Sequence, residues 1–121
     1  MRAIYIDDEP IMIRAFRRLS RGVCCMENVK YFDDSDKAIE YVKNNRVDIV
    51  FADILLPEIN GIQLVKKIRR INPNIYIVFV SALDKSDVPD ILECDDYLGK
   101  PYSKMQMDEI IRKYCKKKAC C

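Results

Sequence analysis

The chain of 121 residues contains no histidine. That absence removes the commonest general base, the commonest zinc ligand and any Ser–His or Cys–His nucleophile pair. It also means that the chain cannot carry a phosphohistidine of its own. Six cysteines are present (Cys24, Cys25, Cys94, Cys115, Cys120 and Cys121), but none in a C-x-x-C spacing. A zinc site or a thioredoxin-like pair is therefore poorly supported. No stretch approaches the roughly 20 apolar residues of a membrane span. The opening M-R-A-I-Y-I is too short an apolar region for a signal peptide and then turns acidic. The end lacks a C-a-a-X lipidation pattern. These absences predict a cytoplasmic protein, in a reducing compartment, with free thiols. Neither sign of charge dominates: 21 basic against 19 acidic residues leave a net charge of +2. That balance argues against direct nucleic-acid binding. The local clusters Arg14, Arg17, Arg18, Arg21 and Lys116, Lys117, Lys118 read as solvated helix faces.

What is present is ordinary for a globular domain: half the residues are hydrophobic and a third charged. The length suits one domain with its own core. We expect that domain over residues 1–116, followed by a short basic, cysteine-bearing tail over 117–121, frayed from Lys116. There is no internal repeat, linker or low-complexity segment.

The order of elements follows from hydrophobic pattern and punctuation. Ala3 to Ile6 is a first strand that runs into Asp7, Asp8 and Glu9. Pro10 opens a helix, where its missing N–H costs nothing. Ile11, Met12, Ala15, Phe16 and Leu19 share one face of it, and Gly22 ends it. Asp8 has a second reading as that helix's cap. Val29 to Phe32 is a second strand. Asp33 and Ser35 are candidate caps for a helix through about Asn44. The apolar run Ile49 to Ala52 reads as a strand buried on both faces, stopping at Asp53. Gly61 opens a third helix with Leu64, Val65 and Ile68 inward, and Asn72-Pro73-Asn74 breaks it. Ile75 to Val80 is a fourth strand ending at Ser81. A short helix is predicted over about Asp87 to Glu93. Asp95 to Leu98 is a last strand before Gly99-Lys100-Pro101. Ser103 and Gln106 form a capping box for a final helix with Met107, Ile110, Ile111 and Tyr114 inward.

Strand–helix alternation five times over demands a parallel sheet with helices on both faces. The expected fold is α/β and flavodoxin-like: a doubly wound five-stranded parallel sheet in the order 2-1-3-4-5. That order sets strands 1, 3, 4 and 5 side by side. Asp7, Asp8, Asp53, Ser81 and Lys100 all lie at or just past the ends of those strands, so they converge on one crevice. Three carboxylates there repel one another unless a cation neutralises them. An oxygen-only set without His or Cys suits Mg²⁺. Lys100 adds a second positive charge, and Ser81 a hydroxyl able to donate to a phosphoryl oxygen. The constellation suits a phosphoryl group placed on, or next to, a carboxylate. Tyr97 reads as a half-buried aromatic of the last strand.

Four stretches, I-Y-I-D-D-E-P at 4–10, D-I-L-L-P-E-I-N-G at 53–61, V-S-A at 80–82 and D-D-Y-L-G-K-P at 95–101, resemble the receiver domain of two-component response regulators. The resemblance runs from Arg2 to about Tyr114. It implies that Asp53 is the phosphoacceptor, and that Asp8 ligates Mg²⁺ directly and Asp7 largely through water. Asp53 and the backbone carbonyl of Leu55 would complete the protein ligands. Lys100 would pair with Asp53 and then with the phosphoryl group. Ser81 and Tyr97 would be the switch pair, reshaping the surface around the fourth and fifth predicted helices and the last strand. The Lys100–Pro101 bond is similar to one that is cis in the family. The implied donor is a histidine kinase or histidine phosphotransfer protein, and the implied receiver of the signal is an output domain or partner not in this chain.

The Ser81–Lys100 interval is a few residues shorter than the family leads one to expect. Leu55 and Leu83 are apolar where polar side chains could guide an attacking water, which predicts slow hydrolysis of the phosphorylated form. Two other classes share part of the pattern. A Mg²⁺-dependent phosphotransferase or phosphatase acting on small molecules would want D-x-D after the strand, but Asp53 is followed by Ile54 and Leu55. A flavin-binding protein would want a Ser/Thr/Gly-rich phosphate loop where this chain has D-D-E-P.

Overall fold

The computed structural model describes residues 1–23, 25–26, 28–53, 61–82 and 94–118. Among them are five strands, β1 (Ala3–Ile6), β2 (Val29–Phe32), β3 (Ile49–Asp53), β4 (Tyr76–Ser81) and β5 (Asp96–Gly99). Four helices accompany them: α1 (Pro10–Ser20), α2 (Ser35–Asn44), α3 (Gly61–Ile71) and α4 (Lys104–Lys118). The strands form one parallel sheet, as the alternation required, in the expected order β2-β1-β3-β4-β5. The helix expected over about Asp87 to Glu93 lies outside the described residues, as do Leu55 and Leu83.

The three central strands are buried along their whole length, which is why they read as unbroken apolar runs. Alternate side chains leave the sheet on opposite faces and make two cores. On one face Tyr5, Phe51, Val78 and Val80 meet Phe16 of α1 and Met107, Ile110 and Ile111 of α4. On the other Ile6, Val50, Ile77 and Phe79 meet Val42 of α2 and Leu64, Val65 and Ile68 of α3.

Local details depart from the expectations in physically simple ways. Glu9, not Asp8, occupies the N-cap of α1, and no side chain caps that helix. Instead the Glu9 N–H donates to Asp7 Oδ1 at 3.1 Å. Ile11, expected on the core face, is 69% exposed. It sits in the first turn of α1. The cap of α2 is Asp34, between the two residues expected to serve. Its Oδ1 accepts from the N–H groups of Asp36 (2.8 Å) and Lys37 (3.2 Å). The Ser103–Gln106 box forms in both directions, at 3.2 and 2.8 Å. The lysine-rich stretch from Lys116 does not fray but continues α4 to Lys118. Six free thiols were expected; Cys25 is disulfide-bonded, whereas Cys94 and Cys115 are not.

Candidate functional site at the ends of the strands

The register brings the site together. Ile6 of β1 pairs with Ala52 of β3, so Asp7 and Asp53 leave the sheet side by side. Asp53 pairs with Val80, one residue before Ser81, and Ser81 pairs with Gly99, one residue before Lys100. The Lys100 N–H donates to the Ser81 carbonyl at 2.7 Å, extending the β4–β5 ladder by one rung. The following Lys100–Pro101 bond is cis. Asp95 anchors the other end of β5, where the strand begins. Its Oδ2 accepts from Ile77 N–H and from the Arg69 guanidinium, both at 2.8 Å.

Asp7, Asp53 and Ser81 are buried polar side chains, at 0%, 4% and 1% exposure. Buried carboxylates need compensation. Lys100 supplies it to two at once: its Nζ lies 3.0 Å from Asp7 Oδ2 and 3.2 Å from Asp53 Oδ2. Burial works against the charge on Lys100. Its hydrogen bonds to Asp7 and Asp53 and their negative charges outweigh that, so its pKa lies above the ordinary lysine value. The ammonium therefore stays charged throughout the physiological range.

Among the described residues, one cation among four carboxylates leaves an excess of negative charge. Asp7, Asp8, Glu9 and Asp53 each present an oxygen, and these oxygens all lie within 4.8 Å of one another. Oxygen ligands without sulfur or imidazole, half of them reaching solvent, fit a hard divalent cation that keeps part of its water. The chemistry of this donor set thus agrees with Mg²⁺. Glu9 belongs to the cluster although its role was not foreseen. Of the anticipated site residues, Asp7, Asp8, Asp53, Ser81 and Lys100 are gathered at this edge. Tyr97 is half-buried in β5 and packs against the α2–α3 core. The Leu55 carbonyl lies outside the described residues.

A residue that sequence reasoning passed over also reaches the site. Tyr5 lies two residues before Asp7 and so on the same face of the chain. Its hydroxyl donates to Asp7 Oδ2 at 2.7 Å. Burial, followed by the nearby Tyr102 and Asp7, pushes its pKa far above the ordinary tyrosine value, so the hydroxyl remains a donor. The two-residue spacing was the available signal. It was masked because a tyrosine in a strand is ordinarily a packing residue.

Comparison with known proteins places the fold in a family. The response regulator receiver domain family matches residues 3–112. The transcriptional regulatory protein YpdB of Escherichia coli K12 is 31% identical over 114 residues, covering 93% of this chain and 47% of that protein. Protein MrkE of Klebsiella pneumoniae is 30% identical over 114 residues, covering 93% and 42%. The crystal structure of the response regulatory domain of MrkE superposes with a TM-score of 0.83 at 29% identity, over 97% of each chain. A CheY-like receiver domain from Methanospirillum hungatei JF-1 shares the fold at 16% identity, with a TM-score of 0.84 over 96% of this chain and 94% of that one. The chain belongs to the receiver domains of two-component response regulators. It spans about half the length of the curated relatives it matches. Domains of this family act as signalling switches rather than as metabolic enzymes.

Proposed function

We propose that Asp53 is the phosphoacceptor of a signalling switch, charged by a histidine kinase or a histidine phosphotransfer protein. The observation that carries this reading is the Lys100 ammonium held between Asp7 and Asp53 at 3.0 and 3.2 Å, inside a cluster of four carboxylates. An Asp53 oxygen attacks phosphorus. The P–O bond forms as the P–N bond to the donor's imidazole breaks, and the bonding pair returns to the imidazole nitrogen. Asp7, Asp8 and Asp53 would hold Mg²⁺, with the Leu55 carbonyl completing the set. Bound there, the ion would offset the negative charge of the carboxylates and the incoming phosphoryl group. Lys100 already touches the attacking carboxylate and neutralises charge that collects on the phosphoryl oxygens. Ser81, beside Lys100 in the ladder, supplies a hydroxyl donor to one of those oxygens.

Ser81 and Tyr97 carry the change outward: Ser81 turns toward the phosphoryl group and Tyr97 follows into the space behind it. The surface that changes is made by β5, α4 and the helix expected over about Asp87 to Glu93. That surface would control an output domain or separate partner, consistent with the relatives' being roughly twice as long as this chain. The setting for this exchange is the cytoplasm, and no helix among the described residues is long and apolar enough to cross a membrane. The test is incubation with a small phosphodonor and Mg²⁺, read by intact mass. Wild type gains one phosphoryl group; Asp53→Asn, or wild type with excess chelator, gains none. Equal labelling of wild type and Asp53→Asn contradicts the assignment.

A further inference from the structure

We propose that Tyr5 is a positioning residue for the metal site: its hydroxyl, bonded to Asp7 Oδ2, fixes that carboxylate and so raises affinity for Mg²⁺. This inference rests on the metal-dependent reading of the site given above.

The first support is that the core does not need a phenol here. Tyr5 is fully buried in the middle of β1, between Tyr31 of β2 and Phe51 of β3. Its ring stacks on Phe16, with centroids 4.1 Å apart, and meets the edge of Tyr31 at 6.2 Å. A phenylalanine would satisfy every one of those ring contacts. The hydroxyl is the excess group, and burying it is unfavourable unless it finds a partner. Its partner is Asp7, at 2.7 Å.

The second support is the rigidity of the donor. A ring clamped by Phe16 and Tyr31 cannot swing, so the hydroxyl is presented from a fixed point. Asp7 receives three donors: Glu9 N–H on Oδ1 at 3.1 Å, and Tyr5 hydroxyl and Lys100 ammonium on Oδ2 at 2.7 and 3.0 Å. Lys100 is shared with Asp53, and a phosphoryl group on Asp53 would draw it away. Tyr5 belongs to the fixed core and holds Asp7 in either state. Partners that orient a ligand in this way commonly change metal affinity 10- to 100-fold.

Tyr102 provides the internal control. It packs in the same cluster, 8% exposed, and its hydroxyl lies near that of Tyr5. Among the described residues that hydroxyl completes no hydrogen bond of its own, although it lies close enough to the Tyr5 hydroxyl to influence it. Removing it deletes a buried hydroxyl beside Tyr5 while leaving each of the three hydrogen bonds to Asp7 in place.

The experiment is calorimetric titration of unphosphorylated protein with MgCl₂, for wild type, Tyr5→Phe and Tyr102→Phe. Tyr5→Phe should bind Mg²⁺ about tenfold more weakly. Tyr102→Phe should stay within about twofold of wild type, since it breaks no contact to Asp7. In phosphodonor assays the Mg²⁺ concentration for half-maximal rate should rise about tenfold for Tyr5→Phe, with the plateau rate nearly unchanged. Wild-type Mg²⁺ affinity in Tyr5→Phe overturns the proposal. So does an equal loss in Tyr102→Phe, which would mark the effect as general packing. If wild type itself binds no Mg²⁺, the metal-dependent reading fails instead, and the two failures are distinct. Should Tyr5→Phe not fold, ultraviolet difference spectra decide. A tyrosine signal on Mg²⁺ addition that persists in Tyr102→Phe supports the proposal, and its absence from wild type overturns it.

Discussion

Lys100 is the residue on which the charge balance of the site depends. It is one cation against two buried carboxylates, with Asp8 and Glu9 close by. Removing one partner of a buried ion pair costs about 3–5 kcal/mol, because the other charge is left uncompensated. Lys100→Met should therefore lose about 3 kcal/mol of unfolding free energy in chelator, and Mg²⁺ should restore part of it. Urea unfolding with and without the ion checks this; a loss below about 0.5 kcal/mol would mean that Asp7 and Asp53 do not depend on the lysine. At this scale the sequence was informative. Asp7, Asp8, Asp53, Ser81 and Lys100 could be named because packing gives no reason for polar residues at the ends of buried strands. Tyr5 and Glu9 could not be named with the same ease. An aromatic in a strand has a sufficient apolar explanation, and an acidic residue before a helix has a sufficient capping one.

At the scale of the element, the site is held by strands rather than by helix caps, and the caps contribute stability alone. Asp34 accepts two N–H groups of α2, and Ser103 shares a reciprocal pair with Gln106 at the start of α4. Asp34→Ala and Ser103→Ala should each cost about 1 kcal/mol in thermal or urea unfolding. Neither should change the Mg²⁺ affinity, because neither side chain reaches the carboxylates. The strand and helix identities were legible, since runs such as Ile49–Ala52 and stripes such as Met107, Ile110, Ile111 and Tyr114 admit one reading each. Cap positions were not. In D-D-S at 33–35 all three residues are capable caps, and only backbone geometry selects Asp34. Ile11 was misplaced for a related reason: helical periodicity gives a face, but not where the sheet beneath that face ends.

For the whole molecule, alternation of strand and helix was enough to give a parallel sheet with helices on both faces, and the order 2-1-3-4-5 came from the doubly wound pattern that such alternation follows. The disulfide at Cys25 departs from the free thiols expected of a reducing compartment. Global stability should fall in alkali. Burial, opposed only in part by Tyr5, pushes Tyr102 up to about 12. Tyr76 rises to about 12 through burial and the charges of Asp96 and Asp95. Tyr5 and Lys100 are raised as well. All four hold their protons more tightly folded than unfolded, so their contribution is complete below the unfolded values near 10 and is lost above them. Unfolding free energy should decline by about 1.4 kcal/mol per pH unit per group above pH 10. Urea titrations at stepped pH check this, and Tyr102→Phe should decline less steeply than wild type.

The function of the molecule turns on which carboxylate takes the phosphoryl group. An acyl phosphate can be reduced with borohydride, which converts the aspartate that carries it to homoserine. Peptide mass mapping after that reduction, on protein treated with phosphodonor and Mg²⁺, should find homoserine at position 53 and at no other aspartate. Homoserine at position 7 or 8, or none at all, would contradict the account.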